Sequence, residues 1–296
     1  MTQVLTLNTN YKQAREKFTG VSRWKGKTVV VKYGGAAMVN TELKTSFIGD
    51  IEFLRENGVK IIIVHGGGKE ITEIADKLSL PVKFISGQRF TDQPMMEVVQ
   101  MVLAGKTNKD IVAGFSKFSD TVVGVSGIDG GIFRVKKLND GNEDLGLVGE
   151  ITAVNNTILQ FFLHNGFLTI IAPVGVDVDG TVYNINGDVA AAAIAEAVLA
   201  DVLLFLSDVP GVLVNGEVYP ALTHQTAGGL IQDGTIKGGM IPKIRSGFNA
   251  LHGGVKTVHF IDGREKHAIL RRLSSAKSMG TTLTFSPQNA AERISV

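Results

Sequence analysis

The sequence predicts an α/β fold, a three-layer αβα sandwich around a mostly parallel open sheet. Two short runs, Thr28-Val29-Val30-Val31 and Lys60-Ile61-Ile62-Ile63-Val64, have the unbroken apolar character of strands buried on both faces. Amphipathic helical stretches alternate with such runs. The 35 glycines gather in loops after the strands, a distribution that fits a phosphate- or nucleotide-handling α/β protein better than a flexible linker.

At 296 residues the chain is near the size at which one core divides into two. Two lobes sharing a sheet, or two closely joined domains, are expected. Thirty Lys and Arg against 28 Asp and Glu give a net charge of +2, too balanced for a nucleic-acid protein. The absence of cysteine excludes disulfides, thiolate metal sites and a cysteine nucleophile, and suits a cytoplasmic setting. No apolar run is long enough for a signal core or a membrane span.

Tyr11, Ala14, Phe18 and Val21 fall at helical spacing, and Gly20 would stop that helix. A helix placed before the first strand has no obvious place in the core. It lies on the surface or packs on another subunit. Thr28 to Val31 then leads into Lys32-Tyr33-Gly34-Gly35. Adjacent glycines let backbone N–H groups approach a ligand, and Lys32 sets a positive charge where an anion would sit. A solvated lysine before an ordinary turn is the competing reading of this stretch alone. Recurrence of the same strand-then-glycine pattern favours the anion loop.

Thr41 to Asn57 reads as a helix with Leu43, Phe47, Ile51 and Leu54 on one face. Lys60 to Val64 runs into His65-Gly66-Gly67-Gly68 and a helix through Leu78. Strand, glycine loop and helix N-terminus together offer N–H groups and a dipole to an anion. His65 reads as a packed strand-end histidine. Val82 to Thr91 is irregular; its Arg89 is either a two-pronged carboxylate clamp or a surface arginine. Pro94 opens a helix over Met95 to Phe115 with Met96, Val99, Val102 and Leu103 as its core stripe.

Thr121 to Ser126 is a strand, and Ile132 to Leu138 with Leu145 to Glu150 a hairpin. Phe167 to Pro173 is a buried strand, and Asp179-Gly180 a turn. Tyr183-Asn184-Ile185-Asn186-Gly187-Asp188 precedes a helix to Ala200, the seam between the lobes. Asp188 suits the N-cap of that helix, and Asn184 and Asn186 suit a turn. Asp201 to Leu206 is a strand ending at Ser207-Asp208. Leu222 to Gly234 is helical. Gly238-Gly239 leads to a helix with Pro242 and Lys243 in its first turn. Lys243 opposes the helix dipole there unless a polyphosphate is bound. Val255 to Ile261 is a strand, His267 to Leu273 a helix, and Gly280 to Phe285 a terminal strand. The resulting division is an extension over 1–24, an N-terminal lobe over 25–200 and a C-terminal lobe over 201–296.

Ligands of open parallel sheets collect beyond the carboxyl ends of the strands. Lys32, the Gly66–Gly68 loop and Asp188 are therefore expected along one crevice. Two lysines and two anion loops, without a metal cluster or nucleophile triad, favour phosphoryl transfer by positioning and charge neutralisation.

From about Lys25 to Phe285 the chain resembles the amino-acid kinase family, and within it the branch that phosphorylates N-acetyl-L-glutamate. The resemblance rests on Lys32 to Gly35, His65 to Gly68, Gly87-Gln88-Arg89-Phe90-Thr91, Met96 to Val99 and Val102 to Gly105. It continues in Tyr183 to Asp188, Leu206 to Val209, and Gly238 to Lys243. It implies the amino-acid kinase fold and a place early in arginine biosynthesis. It also implies roles. Lys32 and Lys243 stabilise the transferring phosphoryl group, and Asp188 holds both lysines. Gly67 and Gly68 bind substrate and developing charge. Arg89 and Asn184 fix the α-carboxylate side of N-acetyl-L-glutamate. Gly34, Gly35, Gly66, Ser207, Asp208, Gly238 and Gly239 serve the phosphates and ATP, with Mg2+ carried by ATP rather than by a protein metal site. The N-terminal lobe would carry the amino-acid substrate and the main dimer contacts, and the C-terminal lobe the nucleotide. The attacking carboxylate is already ionised at neutral pH, so no general base is needed. The resemblance further implies a homodimer, and a hexamer interlaced through the N-terminal helix.

Two positions depart from the pattern. Lys69 stands where relatives commonly have proline. Lys277 stands where relatives inhibited by arginine carry an acidic residue, although His267 and the N-terminal helix match that group. Weak inhibition by arginine is the expectation. A related carbamate, glutamate, aspartate or nucleoside-monophosphate kinase shares the lysines and glycine loops, but the Arg89 and Asn184 segments argue against it. A non-catalytic sensor on the same fold is opposed by retention of Lys32, Lys243 and Asp188.

Overall fold

The computed structural model describes residues 18–139, 141, 143–274 and 279–285. Eight strands form the central sheet: β1 (Thr28–Tyr33), β2 (Lys60–His65), β3 (Val122–Ser126), β4 (Leu168–Ala172), β5 (Val202–Ser207), β6 (Ala221–Thr223), β7 (Thr257–Asp262) and β8 (Thr281–Thr284). Their spatial order is β6-β8-β7-β5-β1-β2-β4-β3. From β7 across to β3 every pairing is parallel. β8 runs antiparallel to β7, and β6 runs parallel to β8. The apolar runs are buried because helices cover both faces of the sheet, as the three-layer expectation requires.

Strand alternation decides which side chains face which layer. Val29, Val31 and Tyr33 point into a core shared with the helices Thr41–Glu56 and Ala268–Ser274. Tyr33 stacks on Phe47 there, with ring centroids 3.8 Å apart. Val30 points the other way, into a core shared with the helices Gly187–Ala197 and Met240–His252. Lys32 has the parity of Val30, so β1 delivers its ammonium to the layer that holds those two helices.

A second, four-stranded sheet carries Val182–Asn184, Val174–Val176, Phe133–Lys137 and Gly149–Val154 in that spatial order. The expected second hairpin limb, Leu145 to Glu150, lies four residues later. Leu145 and Leu147 instead exchange hydrogen bonds with Thr91, and Gly146 turns with φ +71° against it. The helix Asn156–His164, capped by the Asn155 side chain, was not anticipated. Nor was the winding of the helical run 93–115, which is α over Gln93–Gln100, π over Met101–Thr107 and α again over Asn108–Phe115.

Most of the N-terminal helix expected around Tyr11 and Ala14 lies outside the described residues. Its end is a 3-10 helix over Thr19–Trp24. Val21 does have a place in the core: it is buried with Phe18 packed beside it. Arg23 and Trp24 both donate to the Leu273 carbonyl, at 2.9 and 2.7 Å. This entry segment is therefore fastened to the helix Ala268–Ser274. Lys277 lies outside the described residues.

Candidate active site

Asp188 joins the two lysines. Its Oδ1 is 3.1 Å from Lys32 Nζ, and its Oδ2 accepts from Lys243 Nζ at 2.7 Å. Lys32 comes from the end of β1, Asp188 from the first turn of Gly187–Ala197, and Lys243 from the first turn of Met240–His252. Asp188 is not the N-cap expected of it. Asn186 is: its side-chain oxygen accepts from the Asp188 and Val189 N–H groups at 2.8 and 3.3 Å. Burial alone would raise the Asp188 carboxyl, but the adjacent Lys32 and Lys243 outweigh it and hold it below the usual carboxylate range. Burial, and next the like charge of Lys32, push Lys243 below the ordinary lysine range against the pull of Asp188. Asp188 is thus held as a carboxylate between the two lysines, while burial and Lys32 favour the neutral form of Lys243 more than in free lysine.

Glycines make room for this cluster. A Cβ on Gly34 would stand 2.9 Å from Lys32 Nζ, too close for two unbonded atoms. Gly35 has φ +66°, and a side chain there would run into the Asp208 carboxylate. Asp208 accepts from the Ala36 N–H at 2.6 Å, so it tethers the loop after β1 to the end of β5. The Ser207 hydroxyl is turned inward and donates to the Val209 carbonyl at 2.9 Å.

Beside the cluster lies a cavity of about 650 Å³ whose wall includes Gly35, Gly67, Gly68, Arg89, Asn184 and Gly187. Gly66 is held by its N–H to the Tyr33 carbonyl at 2.8 Å. Gly67 then starts the helix Gly68–Lys77 with no side-chain cap, leaving its first N–H groups available to an anion. Gly187 connects this cavity to the cluster, because its missing Cβ would sit 3.6 Å from Lys32 Cε.

Arg89 is buried rather than a surface arginine. Its Nη2 donates to the Gly68 carbonyl and to Thr72 Oγ1, both at 2.8 Å. Its guanidinium lies 4.8 Å from the Phe84 ring centre. Nη1 is buried with no partner among the described residues. An orphaned guanidinium nitrogen is costly unless a ligand oxygen completes it. Asn184, which also lines the cavity, donates weakly to Thr91 Oγ1 at 3.3 Å. Thr72 and Phe84, which orient Arg89, escaped sequence reading; neither has a motif signal.

His65 is the packed strand-end histidine expected. It is buried, with Nδ1 2.7 Å from the Gly66 carbonyl and Nε2 3.3 Å from Asn108 Nδ2. Burial lowers its pKa to about 4, so it is neutral at physiological pH. Gly238, with φ +58°, and Gly239 form an exposed turn ahead of Met240–His252 and do not line the cavity. Among the described residues no cluster of three His, Asp or Glu is arranged to hold a metal.

Residues 27–262 match the model of the amino acid kinase family. The chain is 43% identical over 265 residues to the acetylglutamate kinase of Brachyspira hyodysenteriae, covering 88% of this chain and 92% of that one. It is 42% identical over 289 residues to the acetylglutamate kinase of Aquifex aeolicus, covering 93% and 97%. Among solved structures, the N-acetylglutamate synthase of Neisseria gonorrhoeae with coenzyme A and N-acetyl-glutamate superposes with a TM-score of 0.79 at 22% identity. That match covers 93% of this chain but 63% of the longer synthase chain and speaks to fold alone.

Proposed function

This chain belongs to the amino acid kinase family, and from that premise we propose that it is an acetylglutamate kinase. It transfers the γ-phosphoryl group of ATP to the side-chain carboxylate of N-acetyl-L-glutamate, an early step of arginine biosynthesis. The observation that carries this reading is the Lys32–Asp188–Lys243 cluster beside Gly187, which also lines a cavity shared by Arg89 and Asn184.

Arg89 and Asn184 hold the α-carboxylate side of the substrate. The Gly67 and Gly68 N–H groups meet the end that reacts. Lys32 and Lys243 lie on the side where negative charge builds on the transferring group, and they are positioned before the reaction begins. Asp188 keeps the two ammonium groups from repelling each other apart. The acceptor carboxylate is ionised at neutral pH, so no residue must remove a proton, and the neutral His65 is not asked to. The exposed Gly238–Gly239 turn and the strand end at Ser207 and Asp208 serve the nucleotide in the C-terminal lobe, 201–296. Asp188 and Asp208 are engaged by the two lysines and by the Ala36 N–H, and Mg2+ arrives on the nucleotide phosphates. A homodimer through the main fold and a hexamer through the N-terminal segment complete the proposal.

The test is ATP consumption with N-acetyl-L-glutamate, glutamate and aspartate compared, with hydroxylamine present to trap acyl phosphates. N-acetyl-L-glutamate should give the fastest hydroxamate formation. Equal or faster turnover of free glutamate would sink the assignment.

A further inference from the structure

The π turn Met101–Thr107 contains no proline, and it lies against the loop after β2. A π turn bonds residues five apart where an α-helix bonds residues four apart. Leu103 and Asn108, five apart, therefore come into line on one side of the run 93–115. Fully buried Asn108 uses that side to hold strand ends. Its Nδ2 is 3.3 Å from His65 Nε2 and donates to the carbonyls of Val125 and Ile170 at 3.2 and 3.0 Å. Leu103, also buried, places its Cδ2 2.5 Å from the point where a Gly67 Cβ would be. Thr107 Oγ1 lies 3.6 Å from that same point, buried and without a partner among the described residues. Ordinary α-helical winding, with 3.6 residues per turn, would rotate Asn108 away from the side Leu103 occupies. The clamp on His65 and the contact on Gly67 could not then be made together.

Three consecutive glycines, Gly66 to Gly68, form a loop with almost no steric preference of its own. Something outside the loop must fix where its N–H groups stand. The Leu103 methyl group fills the space that a side chain on Gly67 would have taken, and Leu103 also forms part of the cavity wall. We infer that Leu103 is a positioning residue: the π turn seats the Gly66–Gly68 loop on it and so sets the aim of the Gly67 and Gly68 N–H groups. This rests on the phosphoryl-transfer reading of the site. The role is steric, since leucine carries nothing that could touch charge.

The experiment compares the full chain with Leu103→Ala, Leu103→Met and Leu159→Ala. Leu159 is an equally buried leucine on the helix Asn156–His164, away from the loop. Rates are taken per folded molecule in the hydroxamate assay, and amide hydrogen exchange is followed across residues 65–70. Leu103→Ala should lower kcat about tenfold or more, because small misplacements of reacting groups are expensive, with little change in KM for ATP. Exchange across the glycine loop should accelerate. Leu103→Met, which refills the space, should recover most of both. Leu159→Ala should lose melting temperature while keeping kcat and loop exchange. The inference is overturned if folded Leu103→Ala keeps the parent kcat and loop exchange, or if Leu159→Ala reproduces both changes. Absence of hydroxamate from the parent chain would instead defeat the functional reading.

Discussion

Asn186 accepts a hydrogen bond from the Asp188 N–H at 2.8 Å, and this division of labour frees the Asp188 carboxylate to face Lys32 and Lys243. Had Asp188 capped its own helix, its oxygens would have been turned back on the backbone and the two ammonium groups would have faced each other unpaired.

Removing that charge should be costly twice over. Asp188→Asn leaves two mostly buried ammonium groups side by side, which should cost about 3 kcal/mol of stability. It also lets both lysines shift, so kcat should fall about 100-fold. Thermal melts and the hydroxamate assay measure the two effects. A variant within tenfold of the parent kcat would mean that Asp188 does not position the lysines.

Lys32→Ala and Lys243→Ala should each lower kcat by about 10²- to 10³-fold, the usual cost of losing one preorganised group that stabilises transition-state charge. KM for N-acetyl-L-glutamate should move little, because Arg89 and Asn184 are the residues proposed to hold that substrate. Near-normal turnover in either variant would remove that lysine from the reaction. A large rise in KM at constant kcat would move it to ground-state binding.

The pH profile follows from two shifts. Burial holds the His65 pKa at about 4, so His65 should contribute no step in kcat across neutrality. Lys243 is pushed below the ordinary lysine value of 10.5 by burial and by Lys32. Its charge is needed, so kcat should decline as pH rises through that lowered value, before free lysine would deprotonate. A rate that stays level up to 10.5 would contradict the assignment, as would a histidine-like step near neutrality.

Assembly can be tested with a cut chosen from the structure. Val21 belongs to the core and Phe18 and Trp24 pack against it, so the informative truncation removes residues 1–17 and stops there. Light scattering should report a hexamer for the full chain and a dimer for the truncated one, with kcat largely retained. A full-length dimer would refute the assembly proposal. Separately, arginine should inhibit the kinase weakly, since Lys277 would repel a guanidinium; strong inhibition at low arginine concentration would show that another group compensates.

Much of this was legible in the chain because glycine loops and β-branched runs are local signals. Thr28 to Gly35 and Lys60 to Gly68 each state a strand and its anion loop within a few residues, and strand parity then fixes the layer Lys32 enters. The capping of Gly187–Ala197 was not legible, because Asn186 and Asp188 are equally good caps and only the pull of two distant lysines separates them. The π turn has no residue signature: Gly105 weakens the helix but does not specify five-residue winding. The displaced hairpin limb depended on Thr91, more than fifty residues away, capturing Leu145 and Leu147. Val21 was misjudged because its partners, on the helix Ala268–Ser274, lie near the opposite end of the chain.

The order of the sheet also bears on how the chain is made. β8, Thr281–Thr284, lies between β6 and β7, both of which precede it in sequence. As the polypeptide leaves the ribosome, β6 and β7 emerge with no strand between them, and each must wait with unpaired N–H and C=O groups until β8 arrives. The buried Thr282 and Leu283 then insert as a keystone, pairing on both sides at once. A nascent chain stalled or clipped before Thr281 would be left with two open sheet edges, the feature that most readily recruits other chains into aggregates. Quality control of this protein during synthesis therefore turns on Thr281–Thr284, which is made well after the lysines proposed to carry its chemistry.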